Sequence, residues 1–144
     1  MEKLKHFLLI DDSKATNFFN KTIIEKVACV EKVVIAENGK DALDYIEKGM
    51  IPEVIFLDIN MPVMNGWEFI SNYQKLDDKF KKSIIILMLG AELNQEEKKL
   101  VESIPEIHGF EEKMLTKNIV QKIVNNFFGS ADTITSSTLD NMAS

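Results

Sequence analysis

Three aspartates and one lysine follow short apolar runs in this chain: Asp11 and Asp12 after Phe7–Ile10, Asp58 after Val54–Leu57, and Lys113 after Ile107–Phe110. If those runs are strands of one sheet, the four side chains meet at its edge. Clustered carboxylates repel and raise one another's pKa unless a cation compensates. A hard, oxygen-ligated divalent ion such as Mg²⁺ suits a site of this kind. A carboxylate beside a divalent ion and an ammonium group is also placed to attack a phosphoryl group. The cations neutralise the equatorial oxygens while the aspartate serves as nucleophile, giving an acyl phosphate. Each residue alone reads as a capping acid or a solvated charge; together, at successive strand ends, they read as a site.

The elements that must position them follow from the pattern of the chain. Apolar runs at Phe7–Ile10, Val33–Ala36, Val54–Leu57, Ile84–Leu89 and Ile107–Phe110 alternate with amphipathic stretches. The third and fourth runs are unbroken, as in parallel strands covered on both faces. Ala15, Phe19, Ile23 and Val27 keep i, i+4 spacing, as do Ile119, Ile123 and Phe127 with Val120 and Val124, and both stripes are expected to be buried helix faces. A second helix is expected over 40–48, ended by Gly49, and a third from Gly66 or Trp67 to Lys75. Asn94 with Glu97 is a capping-box signature for the fourth, Pro105 stops it, and Thr116 caps the fifth. Five β-α units predict an α/β fold: a doubly wound, five-stranded parallel sheet with helices on both faces, its site at the carboxyl ends of the strands.

Composition narrows the function classes. A net charge of −6 over 144 residues, 45% of them hydrophobic, describes one globular domain with an ordinary core. A pI near 5.0 without a basic block argues against a nucleic-acid groove or an anionic membrane as partner, and for another protein. The apolar run at Phe7–Ile10 is too short for a membrane span or a signal-peptide core. The single cysteine, Cys29, and the two histidines, His6 and His108, form no metal-ligand cluster in sequence, consistent with a reducing cytoplasm. Residues 1–128 are read as the folded domain and the polar, aperiodic stretch 129–144 as a flexible tail or linker.

The paired Asp11-Asp12, the segment Asp58-Ile59-Asn60-Met61-Pro62-Val63-Met64-Asn65-Gly66 and Lys113 together resemble a response-regulator receiver domain of two-component signalling, over roughly residues 5–128. The resemblance implies a flavodoxin-like fold and a Mg²⁺-dependent phosphoacceptor at Asp58. It implies that Asp12 and Asp58 give carboxylate ligands to the ion, Asn60 its backbone carbonyl, and Asp11 a contact mainly through water. Lys113 would touch the phosphoryl group, Phe110 matches an aromatic position that responds to phosphorylation, and Asn60 and Glu92 match positions that orient the hydrolytic water. The implied partners are a sensor histidine kinase or histidine phosphotransfer protein, docking near Ala15 and Phe18 of the first helix, and a downstream protein on the face of the fourth helix, fifth strand and fifth helix. No enzymatic activity is implied beyond self-phosphorylation and autodephosphorylation.

Two positions depart from the family pattern. Gly90 stands where receivers carry Thr or Ser, removing a hydroxyl donor, and Met114 stands where a cis proline usually follows the lysine. These leave open a degenerate receiver that binds its partner constitutively. A third reading, an aspartyl-phosphate hydrolase, is disfavoured by D-x-N in place of D-x-D after the third strand and by the lack of an insertion long enough for a substrate cap. Trp67, Phe69 and Tyr73, and Met61 and Met64 beside the acidic loop, are read as packing residues.

Overall fold

Each apolar run becomes a strand of one parallel sheet in the computed structural model, which describes residues 3–61 and 63–129. In chain order the elements are β1 (Leu4–Ile10), α1 (Lys14–Val27), β2 (Val30–Ala36), α2 (Gly39–Glu47), β3 (Val54–Asp58), α3 (Gly66–Gln74), β4 (Ile84–Leu89), α4 (Gln95–Ser103), β5 (Ile107–Glu112) and α5 (Lys117–Phe128). A 3-10 turn at Asp78–Phe80, absent from the sequence reading, precedes β4. The strand order is β2-β1-β3-β4-β5, so the chain reverses its winding between β1 and β3. In open sheets of this kind the ligand crevice lies at that reversal.

Alternation along the strands divides the core into two layers. Leu8, Ile10, Ile55, Leu57 and Leu87 pack with Ile46, Phe69, Ile70 and Tyr73 on the side of α2 and α3. Phe7, Leu9, Phe56, Ile86 and Met88 pack with Ile24, Val120, Ile123 and Val124 on the side of α1 and α5. β3 is buried along its whole length, which explains the unbroken apolar run Val54–Leu57. Phe69 and Tyr73 are buried and Trp67 packs against the same layer, as expected of packing residues; Met61 and Met64 do likewise.

Strand lengths differ from the sequence reading. β1 and β2 each begin three residues earlier, and β5 continues to Glu112, because edge and entry residues such as His6, Lys32 and Glu111 are polar yet still paired in the ladder. Helix punctuation matches: Asn94 and Glu97 form a reciprocal capping box, Thr116 accepts from the Ile119 amide, and Gly49 adopts φ 104 just past α2. A second capping box, Asn65 with Glu68, starts α3. The stretch read as a tail, 129–144, lies from 130 onward outside the described residues.

The α1 stripe is a correction. Ala15 and Phe19 are exposed, Ile23 and Val27 only half-buried, and the inward face consists of Asn17, Asn20 and Ile24. The apolar spacing of α1 is genuine, but two inward asparagines satisfy strand-end backbone groups that no apolar side chain could, and their bonds fix the helix rotation. On α5, similarly, Phe127 remains 36% exposed and stacks edge-on with His108, while Val120, Ile123 and Val124 form the buried face.

Candidate functional site

The register of β1 and β3 pairs Ile10 with Leu57, so the residues that follow, Asp11 and Asp58, emerge side by side at the winding reversal. Asp12 continues the same loop. Carboxylate oxygens of Asp11, Asp12 and Asp58 all lie within 4.8 Å of one another. Asp11 is 5% and Asp58 2% exposed, whereas Asp12 faces solvent.

Backbone amides aim the two buried acids. The Ser13 amide donates to Asp11 Oδ1 at 2.8 Å, and the Asn60 amide donates to Asp58 Oδ1 at 3.3 Å. Lys113 reaches over from the end of β5, with Nζ 3.3 Å from Asp58 Oδ2 and 3.8 Å from Asp11 Oδ2. Its backbone N–H is tied to the Leu89 carbonyl at the end of β4. Burial, and then the neighbouring charges of Asp58 and Asp12, push the Asp11 carboxyl up to about 6, against the opposing pull of the Ser13 amide and Lys113.

This is an electrostatically unfinished site. Two buried carboxylates share one ammonium group, and Asp58 Oδ2 has no hydrogen-bond donor, the single such buried side-chain atom among the described residues. Buried anionic oxygens without a hydrogen-bond donor are costly. Three clustered carboxylates, one presenting an orphaned oxygen, fit a hard divalent cation.

The remaining predicted residues divide into two groups. Gly90 follows β4 directly, and a Cβ placed on it would meet only Lys113 Cδ at 3.9 Å, so the space normally filled by a side chain is open. Glu92 is exposed and lines a groove with Asn60 and Gly90. Phe110, 54% exposed, lines an adjoining groove with Gly90 and Glu92. Neither Glu92 nor Phe110 makes a hydrogen bond or ion pair with the carboxylates. Ala15 and Phe18 are both exposed at the start of α1, and Phe18 is 73% exposed. Among the described residues every peptide bond is trans, including the one between Lys113 and Met114.

The family model of the response regulator receiver domain matches residues 7–125. The chain belongs to this family. A two-component response regulator from Cytophaga hutchinsonii shares 32% identity with it at a TM-score of 0.78, over 87% of this chain and 97% of the other. One from Legionella pneumophila shares 27% at a TM-score of 0.73, over 84% and 95%. A protein-glutamate methylesterase/protein-glutamine glutaminase from Desulfotalea psychrophila is 35% identical over 49% of this chain but only 19% of its own length. The chain spans about a fifth of the length of such curated relatives.

As a receiver domain the chain is a signalling module of the class that interacts with histidine kinases or phosphotransfer proteins. No helix among the described residues is long and apolar enough to cross a membrane. Several residues that build the receiver's acidic edge escaped the sequence reading. Asn17 donates from Nδ2 to the Asp11 carbonyl at 2.8 Å, and Asn20 bonds the loop after β5. Two asparagines three residues apart within a helix of otherwise periodic apolar residues were the available signal, because Asn favours caps and turns unless its side chain has a specific partner.

Proposed function

We propose that this receiver accepts a phosphoryl group on Asp58 from a phosphohistidine donor and relays the signal through a protein-protein surface. The observation that carries this reading is the buried Asp58 carboxylate, whose Oδ2 lacks a hydrogen-bond donor while facing the Lys113 ammonium at 3.3 Å. A carboxylate left without a donor keeps its lone pairs for attack, and the ammonium is placed to neutralise charge on the entering group. The P–N bond of the donor imidazole breaks as the O–P bond to Asp58 forms.

Asp11, Asp12, Asp58 and the Asn60 carbonyl would hold Mg²⁺, which supplies charge neutralisation on the phosphoryl oxygens. Asn60 and Glu92 border the groove through which water reaches the acyl phosphate, and their amide and carboxylate favour a labile adduct. The chain has no activity in this reading beyond its own phosphorylation and dephosphorylation. The partners are a sensor histidine kinase or a histidine phosphotransfer protein in the cytoplasm, and a downstream protein reading the Phe110 face; nucleic acid and membrane are not among them. Residues 1–128 act as the receiver unit, with 129–144 as tail or linker.

Gly90 and Met114 favour a second reading, a degenerate receiver that binds its partner without switching, since the hydroxyl that would couple the phosphoryl group to Phe110 is missing. Intact-protein mass after incubation with acetyl phosphate, with and without Mg²⁺, separates the two. A Mg²⁺-dependent gain of one phosphoryl group, lost in Asp58→Asn, supports phosphotransfer. No gain in the natural chain, with gain restored by Gly90→Thr, supports constitutive binding.

A further inference from the structure

The loop that carries Lys113 is held by α1, a helix that contributes no side chain to the carboxylate cluster. Asn20, 4% exposed, donates from Nδ2 to the Lys113 carbonyl at 3.0 Å and accepts at Oδ1 from the Leu115 amide at 2.9 Å. One side-chain amide thus spans both sides of Met114. Only this orientation satisfies both partners, because a carbonyl must face an N–H donor and an NH₂ must face an acceptor. On its other side the Lys113 N–H is fixed to the Leu89 carbonyl. Met114 is 48% exposed and its peptide bonds are trans, so nothing in its own chemistry dictates the path of the turn.

We propose that Asn20 is a positioning residue for Lys113: its amide holds the 113–115 turn so that the ammonium stands between Asp58 and Asp11. The proposal deepens the phosphoacceptor reading and rests on it for its kinetic consequence, but its structural content is independent. A turn free to swing would carry Nζ away from Asp58, whose one ion-pair partner among the described residues is Lys113. Misplacing a charge-neutralising group by about 1 Å costs up to about a hundredfold in rate. The metal ligands lie on other loops, so the clamp supports none of them, and withdrawing the competing ammonium from Asp58 and Asp11 leaves Mg²⁺ affinity unchanged or raised.

The test is a double-mutant cycle in the full chain: native, Asn20→Leu, Lys113→Ala and the pair, with acetyl phosphate as donor at saturating Mg²⁺ and Mg²⁺ affinity measured by calorimetry. Asn20→Leu is expected to slow Asp58 phosphorylation by about tenfold or more, to leave Mg²⁺ affinity undiminished, and to add nothing beyond about twofold in the Lys113→Ala background. Full additivity in that background, or a parallel loss of Mg²⁺ affinity, overturns the proposal, because a general structural defect acts whether or not Lys113 is present. If Asn20→Leu does not fold, Asn20→Ser, whose hydroxyl is too short to span both groups, replaces it. If the native chain takes up no phosphoryl group, the phosphoacceptor reading fails, and the clamp is decided by the Lys113 side-chain ¹³Cε and ¹⁵Nζ resonances. A move toward solvated-lysine values in the Asn20 variant supports it; unchanged resonances overturn it.

Discussion

Gly66 packs against the backbone of Asp58 so closely that a Cβ on it would lie 2.8 Å from the Asp58 carbonyl oxygen and 2.7 Å from Ile59 Cα. Its own amide donates to the Ile59 carbonyl at 2.8 Å. The first residue of α3 therefore clips the chain just past the acidic residue, and only a residue without a side chain fits. Gly66→Ala is expected to destabilise the fold by about 1–3 kcal/mol and to shift Asp58, seen as a lower urea midpoint together with slower modification by acetyl phosphate. A native midpoint would show that the contact relaxes at no cost.

The raised Asp11 carboxyl makes stability depend on pH in a defined direction. In the unfolded chain Asp11 titrates near its ordinary 3.8 and in the folded chain near 6. Between these values the folded state binds the additional proton, so the contribution of Asp11 to stability falls as pH rises through that window and its full cost stands at neutral pH. In the absence of metal, Asp11→Asn is expected to stabilise the chain at pH 7 by about 1–2 kcal/mol after allowance for solvent screening. The gain should vanish below pH 4. Thermal melts of both chains across pH 4–7.5 check the sign, and added Mg²⁺ at pH 7.5 should raise the melting temperature of the native chain more than that of the variant.

Val63 is strained. It holds φ 70 in the loop between β3 and α3 while 80% exposed, a left-handed conformation that a β-branched side chain adopts at a cost not offset by burial. Val63→Gly or Val63→Asn is expected to raise stability by about 1 kcal/mol without altering Mg²⁺ affinity. Chemical denaturation gives the first and calorimetry the second; a loss of stability in both variants would mean that the Val63 side chain packs in a way its exposure denies.

Gly90 leaves room for a larger residue, since only Lys113 Cδ, the flexible part of a side chain, lies within 4 Å of an added Cβ. Gly90→Thr is expected to fold with a stability change within about 0.5 kcal/mol. It should also supply a hydroxyl donor that tightens binding of a phosphoryl mimic such as beryllofluoride and strengthens the response of Phe110. Fluorine NMR of beryllofluoride titrations reads the affinity, and an unchanged affinity would mean that the hydroxyl does not reach the bound group.

Strand identity, the winding of the chain and the acidic cluster were all legible in the sequence, for reasons tied to particular residues. Val54–Leu57 and Ile84–Leu89 are apolar without interruption because helices cover both faces of the sheet, and Asp11, Asp12, Asp58 and Lys113 fall at strand ends, where a parallel sheet gathers its functional groups. Capping residues such as Asn94 and Thr116 were readable because their bonds are local, spanning three residues. The rotation of α1 was not. Its periodicity offered an apolar face through Phe19 and Ile23, but the helix turns Asn17 and Asn20 inward to backbone groups six and more than ninety residues away in the chain. Likewise, no local signal shows that Gly66 must pass over Asp58, or that Asp58 Oδ2 is left without a donor. Burial and hydrogen-bond satisfaction depend on which distant backbone atoms arrive at the same place, and only the folded chain fixes that.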